Sequence, residues 1–178
     1  MSESSFSGLI DITRLGPTGM VTLRADLADA EISETITSAG FEVPAMRQKA
    51  GPSLWMSPDE VMILTAYESA EAQVSVLQTA LKGKHSFVVN VSDARTAFHL
   101  KGPDAVLRDV LAKLTPADLR PNTLPVGEVR RTRLAQVAAA FWFEGEGSAQ
   151  LICFRSVSDY VFELLKNAAA EDSAVGYF

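Results

Sequence analysis

Apolar residues in this chain fall into short runs whose spacing switches between two and three-to-four, and the switches come twice in the same order. Gly19 to Ala25 alternates apolar and polar residues, which suits a strand. Ala28 to Ala39 then sets Ala28, Ile32, Ile36 and Ala39 at helical intervals, with Gly40 placed to end the helix. A loop through Pro44 and Gly51-Pro52 leads to two strands, Ser53 to Met56 and Val61 to Ala66. Between them, Ser57-Pro58-Asp59-Glu60 has the form of a capping box. The following Val61 to Thr65 has no polar helical face, so a tight turn with Pro58 at its second position is expected instead. Glu68 to Lys82 carries the clearest helical stripe, Ala70, Val74, Leu77 and Leu81, and Gly83 ends it. Phe87 to Val91 is a short apolar strand.

The second pass begins with a strand at Arg95 to Lys101. Gly102-Pro103-Asp104 opens a helix carrying Val106, Leu107, Val110, Leu111 and Leu114. A connection marked by Pro116, Pro121 and Pro125 follows, and Arg131 to Glu144 is extended. Gly145 to Ser148 turns the chain back into Ala149 to Phe154. Ser156 to Ala169 is expected to be a helix, with Ser156 as N-cap, Asp159 at N3, and an apolar stripe of Val157, Val161, Leu164, Leu165 and Ala168. Val175 to Phe178 supplies a last short strand. Each half then has the order βαββαβ, which predicts an α+β protein of two ferredoxin-like halves. The halves share that order but no visible sequence similarity. Residues 1–18, with Ser2, Ser4, Ser5, Ser7 and Gly16-Pro17, are expected to be an N-terminal tail; the halves are 19–92 and 93–178.

Composition narrows the function. Apolar residues are 47% of the chain, enough for a sizeable core. The net charge of -6 and pI near 4.9 argue against nucleic acid as a partner, because phosphates need a basic footprint. No apolar run approaches the ~20 residues that span a bilayer, so no membrane role is expected. Met1 to Ser7 lacks the basic and apolar regions of a signal peptide, and the expected location is cytoplasmic. Cys153 is the single cysteine, and His85 and His99 lie far apart, so no metal-ligand spacing exists.

Candidate chemical groups are few. Asp93 and Arg95 form an acid–base pair on paper, but a turn with a solvated ion pair is the expected role. His99 lies between Phe98 and Leu100 and is expected to be a partly buried structural residue; His85 belongs to a loop. Cys153 sits between Ile152 and Phe154, and Arg155 points to the other face, so a buried inert thiol is expected. The glycines form no phosphate-binding pattern. Two features suggest a partner. Arg130-Arg131-Thr132-Arg133 is either a solvated strand entry or a contact with an acidic surface or anionic group. Phe141-Trp142-Phe143 must cover both faces of a strand. Either both faces are buried within this chain, or one faces another protein. Arg130, Arg131, Arg133 and Trp142 are therefore the interface candidates.

Several stretches together resemble the gamma subunit family of heterotetrameric sarcosine oxidase, across roughly residues 19–170. They are Leu54-Trp55-Met56-Ser57-Pro58-Asp59-Glu60, Val88 to Arg95, Leu100 to Ala105, and Val110 to Leu114 with Asp118-Leu119-Arg120-Pro121. More distinctive are Arg131-Thr132-Arg133-Leu134-Ala135-Gln136-Val137 and Cys153-Phe154-Arg155-Ser156 continuing to Val161. The resemblance implies a non-catalytic structural subunit of a bacterial complex. That complex oxidatively demethylates sarcosine to glycine, makes hydrogen peroxide, and passes the one-carbon unit to tetrahydrofolate. It implies alpha, beta and delta subunits as partners, mainly alpha. It also implies that FAD, FMN, NAD, tetrahydrofolate and zinc sit on the other subunits, with none bound by this chain. The implied fold resembles the folate-binding domain of aminomethyltransferases. Folate-binding members of that group carry acidic residues in the strand corresponding roughly to residues 136–142. Here that strand holds no carboxylate but carries Phe141 and Trp142, so a buried pterin would leave its donors unpaired. The alternative is a free-standing tetrahydrofolate-binding protein, which would need a polar pocket floored by a carboxylate.

Overall fold

The computed structural model describes residues 4–178 and divides them into two units. Pro17–Asp93 forms one; residues up to Gly16 together with Ala94–Phe178 form the other. The chain thus starts in one unit, builds the other, and returns.

Residues 4–16 begin the discontinuous unit as two strands, β1 (Ser4–Ser7) and β2 (Asp11–Arg14). The continuous unit follows with β3 (Thr18–Ala25), α1 (Ala30–Ser38), β4 (Lys49–Ala50), β5 (Ser53–Ser57), β6 (Glu60–Ala66), α2 (Ala70–Ala80) and β7 (Ser86–Asn90). Its sheet is antiparallel throughout, in the order β4-β5-β6-β3-β7. Asp29 caps α1 by accepting from the N–H groups of Glu31 and Ile32, so the helix starts two residues later than Ala28. Gly40 takes φ +91 just past its end. Pro58 and Asp59 form the tight turn between β5 and β6. Val21, Leu23, Val61, Ile63 and Val88 from the sheet meet Ile32, Ile36, Val74 and Leu77 from the helices in one core.

The discontinuous unit continues with β8 (Arg95–Lys101), α3 (Asp104–Ala112), β9 (Val129–Leu134), β10 (Val137–Gly145), β11 (Ser148–Phe154) and α4 (Ser158–Ala168). Its antiparallel sheet has the order β1-β2-β8-β11-β10-β9. Phe98, Leu100, Phe141, Phe143, Leu151 and Cys153 pack under Leu107, Val110, Leu111, Val161 and Leu165.

Four expectations change here. The N-terminal segment is no tail: Ile10 and Ile12 are 2% and 0% exposed, and β2 pairs with β8. Both strands are only four residues long and the first is serine-rich, so their alternation is too brief to read; Met1 to Glu3 of the expected tail lie outside the described residues. Val175 to Phe178 forms no strand. The flank of β8 away from β11 is already filled by β2, and Tyr177 N–H instead donates to the Asp109 carboxylate at 3.1 Å. The extended run Arg131 to Glu144 is two strands joined at Ala135-Gln136, where Ala135 takes φ +50 without glycine or asparagine to announce a turn. Ser156 is not the cap of α4. A 3-10 turn over Arg155–Val157 precedes the helix, and Ser158 N–H donates to the Arg155 carbonyl.

Candidate functional site

Strand alternation splits the basic run of β9 between two faces. Arg130 pairs in register with Phe141, a core residue under the helices. Its guanidinium donates to Glu128 at 2.7 Å and to the Thr123 carbonyl at 3.3 Å, so it is spent on holding the chain that enters β9. Arg131 and Arg133 pair with Ala140 and Ala138 on the other face, and both are exposed. Trp142 is 0% exposed, as are Phe141 and Phe143. Both faces of β10 are therefore buried within this chain. Trp142 offers no ring to a partner, and Arg130 is internally committed; of the four interface candidates, Arg131 and Arg133 are the two that reach the surface.

The remaining candidates sit in structural contacts. Asp93 accepts from the Tyr67 hydroxyl at 3.1 Å, while the Arg95 guanidinium lies 3.9 Å over the Phe154 ring. His99 Nε2 is 3.0 Å from Ser148 Oγ. The Cys153 thiol is fully buried. Desolvation pushes its pKa up to about 11 against a weaker opposing pull from Arg14 and Arg95, which keeps it a thiol at neutral pH. His85 is exposed and lines a cleft of about 480 Å³ with Arg24, Asp26, Asp59 and Phe87. Arg24 there is committed to Glu60 at 2.8 Å and Asp59 at 3.6 Å. Among the described residues no group of three or more His, Cys, Asp or Glu side chains could hold a metal, and no helix is long and apolar enough to cross a membrane.

Three residues that matter here escaped the sequence reading. Glu128, 8% exposed, is the partner that withdraws Arg130 from the surface. Phe154 is 45% exposed at the end of β11; alternation from buried Cys153 predicts that orientation. Arg108 is 3% exposed and fixed by Asp104; their spacing of four on a helix was the available signal.

The chain matches the sarcosine oxidase, gamma subunit family over residues 24–171. It is 35% identical over 121 residues to sarcosine oxidase subunit gamma of Corynebacterium sp. (strain U-96). That stretch covers 68% of this chain but 57% of the curated relative's length. A chain of the heterotetrameric sarcosine oxidase from Corynebacterium sp. U-96, solved in complex with pyrrole 2-carboxylate, superposes with a TM-score of 0.81 at 28% identity. The match covers 96% of this chain and 90% of that one. The fold is also shared with glycine cleavage system aminomethyltransferase T from Bartonella henselae: TM-score 0.58 and 14% identity, over 85% of this chain and 44% of that one.

Proposed function

The chain belongs to the sarcosine oxidase gamma subunit family, and on that premise we propose that it is a structural, non-catalytic subunit of a heterotetrameric sarcosine oxidase. The complex demethylates sarcosine oxidatively to glycine, reduces oxygen to hydrogen peroxide, and hands the one-carbon unit to tetrahydrofolate. The flavins, NAD, folate and zinc belong to the alpha, beta and delta subunits. This chain docks mainly on alpha and works in the cytoplasm. Its two units are ferredoxin-like, a reading supported by the order β7-β3-β6-β5 in one and β2-β8-β11-β10 in the other. In the second, the strand beside β8 comes from the start of the chain rather than its end.

The observation that carries the non-catalytic reading is the filling of β10. Phe141, Trp142 and Phe143 are all 0% exposed, and Ala139 and Ala140 beside them are 6% and 2% exposed. A ligand reaching this strand would have to displace close-packed aromatic rings. It would find no carboxylate between Val137 and Phe143 to accept its donors.

Titration calorimetry of the isolated chain with 5-formyltetrahydrofolate tests this directly, and no binding at micromolar concentration is expected. Micromolar binding would favour the free-standing folate protein. Co-expression with a tagged alpha subunit should recover this chain in the complex; a chain that fails to co-purify would overturn the subunit role.

A further inference from the structure

We infer that one margin of the six-stranded sheet, where β9, β10, β11 and β8 meet in a single row, is the docking surface for an acidic patch on a partner protein. Arg133 is its charged anchor and Phe154 its apolar shelf. The inference rests on the subunit role proposed above and adds its location and chemistry.

The row follows from strand register. Arg133 faces Ala138, and Phe154 faces Arg95. Ala138 and Phe154 are one step beyond the Ala139–Cys153 pair of the β10–β11 register. Ala139 and Cys153 belong to the core under the helices, so their neighbours in the row point to the opposite face. Arg131, two residues before Arg133, shares that face and is exposed.

The row combines features that a solvated edge does not need. Arginines on an edge strand are explained by protection against edge-to-edge pairing. That explanation does not require a large aromatic ring left 45% exposed in line with them. The Arg95 guanidinium stacks 3.9 Å over one face of the Phe154 ring, leaving its remaining surface open. Ala138 is exposed and carries only a methyl group between the ring and Arg133, so the shelf is not filled from that side. Arg133 enters no hydrogen bond, ion pair or ring contact with the described residues. An exposed ring in one row with the uncommitted Arg133 guanidinium, one strand between them, suits a protein surface, since arginine and aromatic residues are the favoured interface anchors.

Charge selects the partner. Arg133 places an uncommitted positive charge on a chain whose net charge is -6. The complement is a surface carrying Asp or Glu, which the guanidinium fork binds through two parallel hydrogen bonds. A second copy of this acidic chain meets general repulsion instead.

The test is affinity of the chain for its co-expressed, tagged alpha subunit, with Arg133→Glu, Phe154→Ala and, as a charge-matched control in the other unit, Lys82→Glu. All three residues are exposed, so thermal unfolding of the free variants should match the parent. Arg133→Glu should weaken association by about tenfold or more, because it sets like charges against each other. Phe154→Ala should weaken it measurably, and Lys82→Glu should leave it unchanged. Parent affinity should fall with added salt, and the Arg133→Glu variant should lose much of that dependence. A complex that forms equally well with Arg133→Glu would overturn the location while leaving the subunit role intact. Failure of the parent chain to co-purify would overturn both. Arg133-dependent binding to phosphatidylserine vesicles, with the complex unaffected, would move the surface from a protein to a membrane and also overturn the inference.

Discussion

Cys153 shows how burial disposes of a group that looks reactive on paper. Its thiol lies under α4 in the core, and Arg14 and Arg95 exert a weaker pull toward the thiolate than desolvation exerts against it. The folded-state pKa is raised from 9.0 to about 11. A raised folded value means that the folded thiol holds its proton where the unfolded one has lost it. The corresponding stability is fully present below pH 9 and disappears as pH rises towards 11. Urea titrations at pH 8 and pH 10.5 should therefore show a larger loss of stability in the parent chain than in Cys153→Ala. At pH 8 the parent thiol should react with a disulfide reagent only after unfolding. Fast labelling of the folded chain would show that the thiol is accessible.

At the scale of elements, the long connection between α3 and β9 is tied to α3 by one side chain. Arg108 donates to Asp104 at 2.7 Å, to the Leu119 carbonyl at 2.6 Å and to the Leu124 carbonyl at 3.2 Å, and lies 4.1 Å over the Phe143 ring. Leu119 and Leu124 are 1% and 0% exposed, so the connection sends two side chains into the core without being a helix or strand. Replacing Arg108 by Met keeps much of the volume but strands two buried carbonyls and a partly buried carboxylate. The expected cost is about 3 kcal/mol or more, read from the urea midpoint. Hydrogen exchange should quicken between residues 115 and 128 before it does in β8, β10 or β11. Uniform quickening would mean that Arg108 supports the whole unit equally. The prolines of this segment announced a non-helical path; nothing in them announced that Leu119 and Leu124 would be buried.

At the scale of the molecule, the discontinuous unit depends on both ends of the chain. Ile12 is fully buried beside Leu100, and Arg14 reaches Asp159 at 2.8 Å from under the α4 helix. Residues 94–178 expressed alone lack β1 and β2, leaving β8 as an unprotected edge and Ile12's place empty. That fragment should be insoluble. The same fragment joined by a Gly/Ser linker to residues 4–16 should be soluble and give dispersed amide spectra. A fragment 94–178 that folds unaided would show that β1 and β2 are dispensable. Much of this architecture was legible in advance. The helical stripes of Ala70 to Leu81 and Val157 to Ala168, the alternation of Gly19 to Ala25, and the turns at Pro58 and Gly145 to Ser148 depend on neighbours within a few residues, and such local periodicity is written in the sequence. So were the burial of Cys153 and the presence of a basic strand. The sequence could not say that β2 closes the second sheet, because pairing between residues 11 and 101 is set by which edge is vacant and which side chains fit beneath it. Nor could it separate Arg130 from Arg131 and Arg133 in role, or bury Trp142. Those outcomes depend on what approaches each face of β9 and β10 from distant parts of the chain, and packing between distant segments is decided only when the tertiary structure forms.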